Sequence, residues 1–175
     1  MPQIADILLT LGPYHASDWI ARATRETIDV AAVSHAALVI AGEPLPLIIE
    51  SVPPRARVRT YESALTDIKN AILLSPKNLS EDTRLGIAKK AMEFEGRPYG
   101  FDRYVGALAD AVLDKDWASE HLYFSKKFPY CSVLVSAAYD AFGLDFGEPA
   151  QGVTPAEILT FAVRHPDVYE WVYVK

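Results

Sequence analysis

The chain of 175 residues holds a single cysteine, Cys131, within Phe128-Pro129-Tyr130-Cys131-Ser132-Val133-Leu134-Val135. A thiol attacks as its thiolate, so its chemistry depends on whether the surroundings favour the anion. Cys131, Leu134, Val135, Ala138 and Phe142 recur at i, i+3, i+4, i+7 and i+11, one face of a 3.6-residue period. Pro129 disfavours helix in the residue before it, which places the helix start close to the cysteine. The unpaired N–H groups and the macrodipole at a helix N-terminus lower a cysteine pKa. The same position also suits a small buried hydrophobe, the commoner fate of a free cysteine. A chemical partner has to separate the two readings.

A nucleophilic cysteine needs a base, usually histidine, and the base needs a group to orient it. Of the four histidines, His15 lies in a Gly-Pro-Tyr-His turn, His165 precedes a proline and His121 sits in a polar connecting segment. His35 differs, because it stands near the start of an otherwise apolar segment, Ser34 to Ile40. The turn Gly42-Glu43-Pro44 follows, and Leu47 to Val52 returns with one acid, Glu50. With the turn centred between Gly42 and Glu43, His35 falls directly opposite Glu50, and opposed residues share a face with Cβ atoms about 4.5–5.5 Å apart. A carboxylate beside an imidazole fixes its tautomer and stabilises its cation. Cys131, His35 and Glu50 are therefore the candidate nucleophile, base and orienting acid. The competing readings are a core histidine with satisfied nitrogens and a strand-end glutamate facing solvent.

The elements that must position these residues follow from the pattern. Ile4 to Thr10 reads as a first strand ending at Gly12-Pro13, and Ser17 to Thr27 as a helix. After the hairpin, Pro53-Pro54 ends the second of its strands, Val58 to Tyr61 is an edge strand, Glu62 to Ile68 a helical turn and Ala71 to Ser75 a strand. Ser80 caps a helix running to Glu95, with Glu81 and Asp82 in its first turn and Gly96 beyond its end. Gly96 to Gly100 is a loop, and Tyr104, Leu108, Ala111 and Val112 mark a short helix. Thr154-Pro155-Ala156-Glu157 is a capping box with proline at the first helical position. That helix ends before His165-Pro166, and Val168 to Val174 forms a last strand on which Tyr169, Trp171 and Tyr173 share a face suited to packing. The expected fold class is α+β, with strands near the start and helices in the middle, in one domain over 1–175.

Bulk properties narrow the function. Half of the residues are hydrophobic and 23% are charged, as in an ordinary globular protein. A net charge of −6 without a Lys/Arg cluster argues against nucleic acid as partner. The alternating Arg55, Arg57 and Arg59 suit the solvent face of a strand. One cysteine excludes an internal disulfide framework and a Cys-rich zinc site. No apolar run reaches the roughly 18 residues of a membrane span, and the N-terminus lacks the pattern of a signal peptide, so the expected compartment is the cytoplasm. No G-x-S-x-G elbow, H-E-x-x-H, phosphate-binding loop or dinucleotide fingerprint occurs.

One family shares the order of these motifs. Histidine in Ser34-His35-x-x-Leu38-Val39-Ile40, acid in Ile48-Ile49-Glu50, the Gly96-x-Pro98-Tyr99 loop and then Tyr130-Cys131-Ser132 before an apolar helix resemble the permuted papain-like cysteine amidases of the YiiX/YaeF type, within the NlpC-like superfamily. The likeness runs from Asp6 to the Thr154-Pro155 helix. It implies a circularly permuted papain-like fold, with an antiparallel sheet packed against the nucleophile helix. It also implies a Cys131–His35–Glu50 triad that hydrolyses an amide or peptide bond, peptidoglycan-like peptides included, through an acyl-enzyme. Tyr130, Ser132 and Tyr99 are the expected substrate-side residues, and the Tyr130-Cys131 peptide with the helix N-terminus the expected oxyanion donors. Tyr99 and Phe101 also suit a plain packing role. Lipid acyl hydrolysis or transfer on the same fold is the alternative chemistry, and a binding module without turnover the alternative class. Segment 101–127 matches none of these motifs and is expected to shape specificity. No cofactor or metal is called for.

Overall fold

The computed structural model describes residues 1–11, 33–68, 70–100, 129–147, 149–150 and 152–175. His15, His121, Phe101, Phe128, the helix expected over 17–27 and the one expected around Leu108 lie outside the described residues. The architecture is α+β. Six antiparallel strands, β1 (Ile7–Leu11), β2 (Val33–Ala41), β3 (Leu47–Val52), β4 (Arg55–Thr60), β5 (Asn70–Pro76) and β6 (Tyr169–Tyr173), form one sheet in the order β4-β3-β2-β1-β5-β6. Among the described residues four helices accompany it: α1 (Tyr61–Thr66), α2 (Glu81–Met92), α3 (Cys131–Asp140) and α4 (Pro155–Arg164).

The central strand β2 is apolar from Ala36 to Ala41 because both of its faces are covered. Ala36 and Leu38 join the larger core with Leu9, Ile49, Leu74, Ile87, Leu134 and Ile158. Ala37 and Val39 join a smaller core on the other face, where Ala64 and Ile68 come from α1 and the turn after it. Helices α2, α3 and α4 all pack against β2. Alternation along one strand thus serves two layers at once.

Local chemistry sets the element ends. Asp6 accepts the Gln3 N–H at 2.8 Å, and Ala5 takes a positive φ of 68°, so β1 begins at Ile7 rather than Ile4. Ser80 caps α2 as expected, accepting the Thr83 N–H at 3.1 Å. This helix stops at Met92, short of Glu95, because Phe94 N–H and Glu95 N–H bond three residues back, to Ala91 O and Met92 O, in a tighter turn that leads to Gly96 at φ 75°. Thr154 and Glu157 form the capping box of α4. The fourth strand begins earlier than expected, at Arg55, and α1 replaces the turn read over 62–68. Tyr169 packs against Phe146 and Phe161, whereas Trp171 and Tyr173 are exposed. The shared packing face expected of those three aromatics is therefore limited to Tyr169, since β6 lies at the sheet edge.

Candidate active site

Among the described helices, α3, which begins at Cys131, is the one whose start carries no side-chain cap. Tyr130 occupies the N-cap position of α3 in extended conformation, and its side chain makes no capping hydrogen bond. The first-turn N–H groups of a helix lack intrahelical partners, and two backbone N–H groups, from Ser132 and from Ala36 of β2, hydrogen-bond the Cys131 sulfur. The ladder between β2 and β3 ends at Ala37–Glu50, and α3 approaches at that end. The approach is pinned by Ser51, whose hydroxyl, wholly buried, donates to Pro129 O at 2.6 Å.

His35 links the cysteine to the acid. Its Nε2 lies 2.9 Å from Glu50 Oε2, and the ring also hydrogen-bonds Cys131. The register differs from the expected one. Glu50 pairs with Ala37, two positions along from His35: the turn is centred near Pro44, with Ala41 opposite Leu47, which moves the pairing by three, and the one-residue shift between Val39 and Ala41 takes one back. A slip of two keeps both side chains on one face, whereas a slip of one would have separated them. The length of Glu50 spans the resulting diagonal.

Glu50 is the hub of the site. Its side chain is 1% exposed, yet three cationic groups reach it. Arg57, directly opposite on β4, places Nε 3.0 Å and Nη2 2.9 Å from Oε1. Arg59, two residues further on the same face, places Nε 2.8 Å from Oε1 and Nη2 3.4 Å from Oε2. Its Nη1 bonds Asp67 at 2.8 Å. The expected solvent-facing arginine row is thus corrected: Arg57 is half-exposed, and Arg59, with 14% of its side chain exposed, is built into the site. Glu50 likewise points to the site and not to solvent.

These contacts fix the charge states. Burial alone would raise the Glu50 pKa, but the His35 hydrogen bond and charge, Arg59 and Arg57 bring it down from 4.5 to about 2. Burial also disfavours a charged His35, yet the Cys131 thiolate and the Glu50 carboxylate outweigh it and raise its pKa from 6.5 to about 9. Burial pushes the Cys131 thiol up, and the His35 cation with the Ala36 and Ser132 N–H groups brings it below its ordinary value. Each of the two groups thus favours the charged form of the other.

The flanking residues divide. Ser132 is wholly buried and its hydroxyl donates to Val153 O at 2.6 Å, so its side chain ties α3 to the loop before α4 and only its backbone N–H faces the sulfur. Tyr99 and Tyr130 are buried together with Val133 in a small apolar cluster apart from the two cores. Four residues had no reading as site members from the sequence: Ser51, Arg57, Arg59 and Thr10. Thr10 stands directly opposite His35 on β1, buried, and its Oγ1 has no hydrogen-bond partner among the described residues. Only the arginines carried a signal, their alternate spacing. His165 is spent structurally, its Nδ1 on Phe161 O at 2.8 Å and its ring stacked on Phe161.

Among the described residues no cluster of three or more His, Cys, Asp or Glu side chains could hold a metal ion, and no helix is long and apolar enough to cross a membrane. No protein-family model, curated protein or solved structure matches the chain.

Proposed function

We propose that this chain is a cysteine-dependent acyl hydrolase of the permuted papain-like type, acting on an amide or peptide bond through a Cys131 thioester. The observation that carries the reading is His35 bonded on one side to buried Glu50 and on the other to a cysteine at an uncapped helix N-terminus. Nucleophile, base and orienting acid in hydrogen-bonding sequence are what such catalysis requires. The chain order His35, Glu50, Cys131 resembles that of the permuted amidases, which favours peptide-like amides, peptidoglycan-like ones included.

In this mechanism the Cys131 thiolate attacks the carbonyl carbon, and negative charge moves to its oxygen near the first turn of α3. Collapse breaks the C–N bond, and the departing amine takes the proton of the His35 imidazolium. A water then gives a proton to neutral His35 while its oxygen attacks the thioester. The acid leaves, and the resting thiolate–imidazolium pair returns. Glu50 keeps the imidazole in one tautomer and offsets its charge throughout.

The burial of Cys131 favours a second reading, a binding module without turnover in which the thiol is only packed. Iodoacetamide separates the two. The catalytic reading expects Cys131 to alkylate well below pH 8 and His35→Ala to slow that reaction at least tenfold. Alkylation no faster than that of a free model thiol, and indifferent to His35→Ala, would leave the binding module. Turnover of a peptide amide against a long-chain acyl ester then assigns the bond.

A further inference from the structure

The two oxygens of the Glu50 carboxylate are not equivalent. Oε1 accepts a hydrogen bond from Arg57 Nε at 3.0 Å and has Arg57 Nη2 at 2.9 Å and Arg59 Nε at 2.8 Å as ion-pair contacts. Oε2 receives His35 Nε2 at 2.9 Å and only a longer contact, 3.4 Å, from Arg59 Nη2. Arg59 is itself braced from behind, its Nη1 donating to Asp67 at 2.8 Å and to Ser63 O at 3.4 Å. A histidine–carboxylate pair does not require two guanidiniums, and burying their contacts on one carboxylate is costly unless the geometry is satisfied.

We propose that Arg57 and Arg59 are positioning residues of the site: by occupying Oε1 of Glu50 they turn the carboxylate so that Oε2 is presented to His35, and their charge limits how firmly Glu50 holds the imidazolium. The inference rests on the catalytic reading of Cys131 and His35. Without the arginines, both carboxylate oxygens compete for the ring, which then gains orientational freedom. The guanidinium fork supplies planar, directed donors that a lysine ammonium lacks. The charged and titratable groups facing Glu50 from the elements around it are His35 on β2, Arg57 and Arg59 on β4, with Asp67 behind Arg59 and Cys131 across the ring. Removing one cation from this set lowers the repulsion on the imidazolium more than the attraction on the thiolate, since the guanidiniums lie on the Glu50 side of the ring.

The test is the pH dependence of two reactions, alkylation of Cys131 by iodoacetamide and hydrolysis of p-nitrophenyl acetate, in the intact chain. Arg57→Gln is the first variant, because its side chain is half-exposed and its loss spares the fold. Arg59→Lys is the second. Arg57→Gln is expected to slow hydrolysis at neutral pH three- to tenfold and to move the alkaline limb, which reports loss of the imidazolium, to higher pH by about half a unit or more. Arg57→Lys should restore the limb, which reads charge, more fully than the rate, which reads geometry. In a Glu50→Gln background, Arg57→Gln should change neither, because the arginines act through the carboxylate. Limbs unmoved in both Arg57→Gln and Arg59→Lys, with His35-dependent alkylation intact in the parent, would overturn the inference alone. Alkylation indifferent to His35→Ala in the parent would overturn the catalytic reading beneath it.

Discussion

Glu50→Gln changes the hub of the site by one proton-binding oxygen while keeping its shape. The wild-type carboxyl falls from 4.5 to about 2 on folding, and its side chain is 1% exposed. A depressed carboxyl pKa stabilises the fold above the unfolded value, because the unfolded chain is then the state that binds the proton more readily. That stability disappears as pH falls through the folded value. For this shift it amounts to about 3 kcal/mol, full at neutral pH and lost between about pH 4.5 and pH 2. The glutamine variant leaves Arg59 and His35 beside a neutral group, which costs about 2–5 kcal/mol at pH 7, a loss that a domain with about 5–15 kcal/mol of stability tolerates. Urea unfolding followed by tryptophan fluorescence at pH 7, 4.5, 3 and 2.5 measures both quantities. The stability gap between wild type and Glu50→Gln should be widest at pH 7 and shrink by about 3 kcal/mol toward pH 2, while the other carboxyls cancel between the two proteins. A gap that stays constant across this range would refute the assignment of Glu50 as a buried, ionised partner of His35, Arg57 and Arg59.

Three further outcomes follow from the same geometry. With His35 raised to about 9 and Cys131 lowered, alkylation by iodoacetamide should be nearly level from pH 7 to pH 8, where an ordinary thiol speeds up about tenfold per pH unit until its pKa near 8.5; a slope like that of an ordinary thiol would count against the ion pair. Thr10→Val removes a buried hydroxyl without a partner among the described residues and keeps the shape, so denaturant unfolding should show unchanged or higher stability, up to about 1 kcal/mol, instead of the usual loss. Ser51→Ala leaves Pro129 O only the longer bond from Gly100 N–H at 3.4 Å, which should cost about 1–2 kcal/mol in urea unfolding and slow Cys131 alkylation, since the loop entering α3 loses its tie to β3.

Much of the fold was legible along the chain because its signals are local. Apolar runs bounded by Gly and Pro marked β2, β3 and β5, and the Thr154–Glu157 box and the Ser80 cap marked two helix starts to the residue. Element ends were less legible where a distant or unusual contact set them. The positive φ at Ala5 delays β1, and the tightened turn after Met92 shortens α2. The triad candidates were legible for a different reason. A lone histidine and a lone glutamate in two apolar strands joined by a short turn fall on one face under any register of the right parity, so the two-residue error in pairing did not separate them.

By itself, then, the sequence determined the residue types that can do chemistry and their order, since these depend only on the chain, whereas the parity that brings His35 and Glu50 to one face needed the one-residue register shift between Val39 and Ala41. The tertiary structure alone decided what those residues can do. The β3–β4 register carries Arg57 and Arg59 to Glu50 and sets its charge, Ser51 fastens the entry to α3, and the packing of α3 on the sheet brings Cys131 to the ring across 96 residues of chain, from His35 to Cys131. Each of these is a pairing between segments whose mutual register has no local signature, because strand alignment and helix docking are settled by the summed burial of both cores.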